Sequence, residues 1–215
     1  MNGAARLNAQ DTAGQEPGSW SAGRRSASPV DAGEFPILKP VEEQRLAHML
    51  SAHFESVWRV ARHMGLGSAQ AEENAQEAYA IAARKLNDIA PGSERAYLLG
   101  VASRLAINTR RLASQRIDRA PTTNETDLPT TTSLPDELLA RKQDRLLLES
   151  LLQSLSDEFR QVITLFEIEE LTLPEIAAAL EIPIGTATSR LRRARDEFNK
   201  KLSLFSKRAS RGEPR

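Results

Sequence analysis

The chain has 215 residues, 29 basic and 29 acidic side chains, a formal net charge of zero and no cysteine. That length holds one large domain or two small ones, and overall neutrality removes any whole-chain charge argument for nucleic acid. Without cysteine there is no disulfide and no thiolate metal or redox site, which fits a reducing cytosol.

Other classes fall away on motif grounds. His48, His53 and His63 share one segment but lack metal-ligand spacing. No G-x-x-x-x-G-K-S/T loop, nucleophile–base set or metal cluster points to an enzyme or a cofactor. No stretch approaches the roughly 18 apolar residues of a membrane span, and Arg24-Arg25 precede SASPV, not a signal-like apolar run.

Residues 1–40 are rich in Gly, Ser, Ala and Pro and are predicted to be a disordered leader, interrupted by Phe35, Ile37 and Leu38. Residues 41–116 read as a helical bundle. Its first helix carries Leu46, Met49, Leu50, Phe54, Val57, Trp58 and Ala61 at spacings of three and four. Gly65-Leu66-Gly67 ends it, and Ser68 is placed as the cap of the next helix, AQAEENAQEAYAIAARKL. NDIAPGS is a loop. A third helix runs from about Glu94 to Leu112, with Tyr97, Leu98, Val101, Leu105 and Ile107 inward. Residues 113–135, with their prolines and threonines, are predicted to be irregular, and 117–136 is taken as a flexible linker.

The helical pattern returns over residues 137–204, before a basic tail at 205–215. Leu138, Leu139, Leu146, Leu147, Leu151, Leu152 and Leu155 mark one helix. Ser156 caps DEFRQVITLFEIEE, read as one helix, and Thr172 with Glu175 forms a T-x-x-E capping box before LPEIAAAL. From Asp144 to Glu181 there are nine acidic and two basic residues; from Gly185 to Arg215 there are ten basic and three acidic. No strand-like alternation occurs. The fold class is therefore all-α: two small helical bundles joined by a flexible linker.

The stretch EIPIGTATSRLRRAR sets the chemistry of the second bundle. At about 100° per residue, Ile184, Ala187, Leu191, Ala194 and Phe198 fall on one face. Thr186, Ser189 and Arg193 fall opposite, with Arg190 and Arg192 on the flanks. A short capped helix, a tight turn and a helix with an outward basic face make a helix-turn-helix, whose second helix fits a major groove about 12 Å wide. Thr186, Thr188, Ser189, Arg190, Arg192 and Arg193 are the candidate DNA contacts. Arg190 and Arg195 are assigned to phosphates or to packing.

These residues resemble the C-terminal domain of bacterial sigma factors, of the extracytoplasmic-function (ECF) group in particular. The resemblance lies in Glu175-Ile176-Ala177, Gly185-Thr186, Ser189-Arg190-Leu191 and Arg193-Ala194-Arg195. AEENAQEAYAIAARKL is similar to the family's A-E-D-x-x-Q-E-x-F helix, which implies binding of the clamp helices of the RNA polymerase largest subunit by Glu72, Glu73, Gln76 and Glu77. SERAYLLGVASRLAINTRRLASQR resembles the family's W-L-x-x-I-A-R-N-x-x-I-D-x-x-R segment. It departs at Tyr97, at Ser103-Arg104 and at Asn108, and Thr188 stands where the family often has Lys.

The resemblance implies a role in transcription initiation. Residues 137–204 would read a minus-thirty-five element. Asn87, Asp88, Ser93, Arg95, Tyr97, Arg104 and Arg111 would hold the opened minus-ten strand. The implied partners are core RNA polymerase, promoter DNA and an anti-sigma protein clamping the two domains. The competing reading is a helix-turn-helix regulator, or a sigma-like decoy, that does not itself initiate transcription.

Overall fold

The computed structural model describes residues 39–117 and 136–210. The predicted leader up to residue 38, most of the predicted linker and the end of the basic tail lie outside them; Pro40, assigned to the leader, is the first residue of the first helix. The described residues form seven α-helices, with no strand among them. Helices α1 (Pro40–His63), α2 (Ser68–Arg84) and α3 (Glu94–Ile117) make the first bundle. Helices α4 (Asp136–Gln153), α5 (Asp157–Ile163), α6 (Leu173–Leu180) and α7 (Ile184–Ser210) make the second.

Local chemistry explains most of the boundaries. Pro40 opens α1 at a position where its missing N–H costs nothing, and Glu42 accepts from the Lys39 N–H at 2.8 Å. Gly65, with φ +97°, ends α1, and the Leu66 N–H closes back on the Ala61 carbonyl at 3.2 Å. Thr172 and Glu175 form the expected capping box of α6, Glu175 Oε2 accepting from the Thr172 N–H at 2.8 Å. The turn between α6 and α7 puts Glu181, a non-glycine residue, in the left-handed region at φ 57°.

Several expectations are corrected. Gly67, not Ser68, is the N-cap of α2. Helix α3 runs on to Ile117, so residues 113–117 are helical where irregular chain was expected. DEFRQVITLFEIEE is not one helix: after Ile163 the backbone widens into a π turn over Thr164–Ile168. Ile184 is 53% exposed despite its place on the apolar face. Side chains lean toward a helix's N-terminus, so the first residue of α7 leans off the packed end. Leu50, Phe54 and Leu146 are also exposed. Phe54 is covered on one side, its ring stacked on Tyr79 at 6.5 Å.

The first core is alanine-rich: Ala71, Ala75, Ala78 and Ala82 of α2 let α1 and α3 approach closely. Two buried polar groups fix the register, the Asn74 amide donating to the Ala102 carbonyl and the Tyr79 hydroxyl to the Met49 carbonyl, both at 3.2 Å. Burial pushes the Tyr79 phenol up to about 12.

The two bundles pack against each other, and the larger apolar cluster runs through both, from Val57 and Leu99 to Ile176, Ala187 and Leu191. Helix α3 lies on α6. A Cβ built on Gly100 would stand 2.5 Å from the Ala179 carbonyl oxygen, so only glycine permits this approach. Beside it the Gln161 amide donates to the buried Ser103 hydroxyl at 2.8 Å. Arg160 is 1% exposed and donates to the carbonyls of Leu152, Gln153 and Leu155 at 2.7–2.9 Å and of Met64 at 3.1 Å. It thereby ties the α4–α5 turn to the end of α1. Burial pushes this guanidinium down to about 10.

Candidate nucleic-acid interface

Helix α7 separates its faces as its periodicity predicts. Ala187, Leu191 and Ala194 are buried, while Thr188, Ser189, Arg192 and Arg193 are exposed. Thr186 is half-buried at the helix start. The hydroxyls of Thr188 and Ser189 donate to carbonyls of their own helix, Ile184 at 2.9 Å and Thr186 at 3.0 Å, and their oxygens remain as acceptors.

The arginines divide into two kinds. Arg195 donates to Glu167 at 2.6 Å and lies over the Phe166 ring at 4.9 Å. Arg190 pairs with Glu158 at 3.1 Å and its side chain is only 24% exposed. Both hold α7 to the rest of the second bundle. Among the described residues Arg192 pairs only with Asp196 of its own helix, at 3.6 Å with both side chains well exposed, and Arg193 makes no ion pair. The free guanidinium face is therefore Arg192 and Arg193.

On the first bundle, Asn87 and Asp88 are exposed on a 3-10 turn over Leu86–Asp88, and Ser93 is half-exposed just before α3. The loop between them is held by Arg45, absent from the sequence-based candidates. Its guanidinium donates to the Leu86 carbonyl at 3.1 Å, the Ile89 carbonyl at 2.7 Å and Glu94 Oε1 at 2.7 Å. Tyr97 is half-buried against the core, and burial pushes its phenol up.

The remaining minus-ten candidates face the second bundle. Arg95 pairs with Glu169 at 2.9 Å, Arg104 donates to the Ala179 carbonyl, and Arg111 lies 3.6 Å from Asp157. Arg110 makes the closer contact with Asp157, at 2.8 Å. Glu169 is fully buried and also receives Arg59 of α1 at 2.7 Å. That bond holds the Arg59 guanidinium above its ordinary range. Neither Arg59 nor Glu169 stands out in sequence, since one is among three arginines on an amphipathic helix and the other lies in an acidic run.

Across α2, Glu72, Glu73 and Gln76 are exposed and Glu77 half-exposed, opposite the buried alanines. None of the three glutamates makes an ion pair with a described residue, which leaves an acidic stripe open on the first bundle.

Two bundles, an open acidic helix and a helix-turn-helix with an outward arginine pair define a two-region sigma-type architecture, and comparison with known proteins agrees. Residues 49–116 match the family model for sigma-70 region 2, and residues 145–198 match that for sigma-70 region 4. The chain belongs to the sigma-70 family and is of the ECF type. It is 26% identical over 159 residues to the ECF RNA polymerase sigma factor SigE of Mycolicibacterium smegmatis, covering 74% of this chain and 62% of that protein. It is 34% identical over 76 residues to the ECF RNA polymerase sigma-E factor of Escherichia coli, covering 35% of this chain and 40% of that one.

The chain thus spans less than two thirds of the length of these relatives. Its fold is also that of the sigma factor RpoE of Bartonella quintana, solved with the anti-sigma factor NepR, at TM-score 0.56 and 20% identity over 75% of this chain and 96% of that one. CnrH, solved with the cytosolic domain of CnrY, aligns at TM-score 0.56 and 19% identity over 75% of this chain and 90% of that one. No helix among the described residues is long and apolar enough to cross a membrane.

Proposed function

We propose that this chain binds core RNA polymerase in the cytoplasm, directs it to promoters and is restrained by an anti-sigma protein. The observation that carries the proposal is the order on one chain of a sigma-70 region 2 match and a sigma-70 region 4 match. An isolated helix-turn-helix regulator needs only the second. The open stripe of Glu72, Glu73, Gln76 and Glu77 suits a basic helix on the polymerase, since complementary charge speeds encounter and fixes orientation.

The mechanism is binding and strand capture, without covalent chemistry. The α7 face of Thr186, Thr188, Ser189, Arg192 and Arg193 reads the minus-thirty-five duplex, arginine forks suiting guanine edges and hydroxyls suiting phosphates or bases. Asn87, Asp88, Ser93, Arg95 and Tyr97 surround the loop that receives unpaired minus-ten bases, and Arg104 and Arg111 supply charge for the strand. Capture must offset a few kcal/mol of unstacking. Because RpoE is solved in complex with the anti-sigma factor NepR, and CnrH in complex with the cytosolic domain of CnrY, we extend anti-sigma control to this chain.

The test is titration of the full chain against sigma-free bacterial core RNA polymerase, followed by run-off transcription. One-to-one binding with promoter-dependent transcripts is expected. Binding without transcripts would make the chain a decoy. Absence of binding would leave a helix-turn-helix regulator.

A further inference from the structure

The buried carboxylate between the bundles points to a ligand site. Glu169 follows the π turn over Thr164–Ile168 and inserts between two helices of the first bundle. Its Oε1 accepts from Arg59 Nε at 2.7 Å; its Oε2 accepts from Arg95 Nη2 at 2.9 Å and Arg59 Nη2 at 3.1 Å. Arg59 comes from near the C-terminal end of α1 and Arg95 from the first turn of α3, so the first bundle alone brings two guanidinium groups to one point. The carboxylate is fully buried, whereas the side chains of Arg59 and Arg95 are 37% and 34% exposed. With the second bundle displaced, the same pair would face water, with the exposed Glu55 of α1, 3.7 Å from Arg59, as the carboxylate left beside it. Guanidinium forks that hold a carboxylate through parallel N–H groups hold a phosphate in the same way. Arg95 also adjoins the Asn87–Ser93 loop.

We propose that Arg59 and Arg95 form a phosphodiester-binding cleft for single-stranded DNA, and that Glu169 is its internal competitor. The cleft takes a strand only when the second bundle leaves it. The inference rests on the proposed function for the source of that strand, an opened promoter, but the cleft and its competitor can be tested without a promoter. A tethered carboxylate competes at a high effective concentration, and apparent affinity falls by the fraction of molecules that are open.

The experiment uses the full chain, whose lack of cysteine allows a donor–acceptor dye pair at cysteines introduced in place of the exposed Ala52 and Lys200. Energy transfer reads opening, and fluorescence anisotropy reads binding of a labelled 20-nucleotide single-stranded DNA. Glu169→Gln keeps the shape and removes the charge. Gly100→Ala keeps Glu169 but forces α3 and α6 apart, and within α3 alone alanine is the better helix former. Both variants are expected to lower energy transfer and to bind the strand about tenfold tighter than the parent chain if the closed form predominates about ten to one. Adding Arg59→Gln to Glu169→Gln should cancel the gain.

Opening without tighter binding, or a gain that survives Arg59→Gln, would overturn the cleft. Unchanged energy transfer in both variants would overturn the competitor. If Glu169→Gln fails to fold, as judged by circular dichroism, Gly100→Ala and its Arg59→Gln double variant decide the same question. Core polymerase binding by the parent chain separates the two ideas. Core binding with no gain in strand affinity refutes the cleft alone, whereas a gain without core binding refutes the sigma reading alone.

Discussion

Helix α7 carries four arginines in six positions, and the structure ranks what each can give to DNA. Arg193 has no ion pair among the described residues to surrender, and Arg192 surrenders one exposed pair within its own helix, worth about 0.3–0.5 kcal/mol. Arg195 is different. To reach a phosphate or base it must leave Glu167 at 2.6 Å and the Phe166 ring at 4.9 Å. The half-exposed ion pair is worth about 0.2–1 kcal/mol and the cation–π contact about 0.5–1 kcal/mol. Arg195→Ala should therefore lower the stability of the chain by about 1–2 kcal/mol. Arg193→Ala should leave stability unchanged, weaken duplex binding by about 1–3 kcal/mol and relax one base preference.

Urea unfolding gives the first quantity. Selection of duplexes from a randomised minus-thirty-five library by the chain bound to core polymerase gives the second. The reasoning is refuted if Arg195→Ala shifts the selected sequence while Arg193→Ala leaves it unchanged. That outcome would mean that the Glu167 and Phe166 contacts are given up on DNA and that the face of α7 has been assigned wrongly.

Other expectations follow from the same coordinates. Arg160→Met should cost about 3–5 kcal/mol in urea unfolding, because it strands the carbonyls of Leu152, Gln153, Leu155 and Met64. Arg160→Lys should recover only part, a point charge being unable to fork onto all of them. Glu181→Gly should raise stability by about 0.5 kcal/mol in thermal unfolding, the relief of a left-handed side chain exceeding the added freedom of the unfolded chain and the loss of the exposed pair with Arg104 at 3.5 Å. Glu73→Lys with Glu77→Lys should weaken binding to core polymerase while leaving the urea midpoint unchanged. Burial, aided by Arg59 and Arg145, holds the His63 imidazole below its ordinary 6.5 against Glu149 and Glu169. The unfolded chain therefore takes up that proton first, and stability present above about pH 6.5 should fall as pH drops below it, with a shallower slope in His63→Gln.

How far the sequence could be read depended on whether the signal was local. The α6 capping box, the buried stripe Ala187, Leu191 and Ala194, and the exposed Arg192 and Arg193 all follow from spacings within one helix or turn. The π turn did not show, because TLFEI carries ordinary helix-forming residues and the wider turn is set by packing. Arg45 was invisible for a related reason. It sits on a charged helix, and its partners lie 41 to 49 positions away in the chain.

The packing of one bundle on the other is the part a linear reading could least supply. Periodicity sorts each helix into a buried and an exposed side but does not say which other helix does the burying. Gly100 looks like a weak point in α3 until Ala179 is placed against it. Glu169 looks like one more solvated acid in EIEE until Arg59 and Arg95 are found around it, 110 and 74 positions away. A buried carboxylate is costly unless charged donors meet it, so its position requires the two arginines to be where they are. The charges on which strand capture would depend are therefore the same charges that make the closed arrangement tolerable. Displacing the second bundle exposes the cations and the carboxylate at once, and the free energy of opening must be recovered from whatever the first bundle then binds.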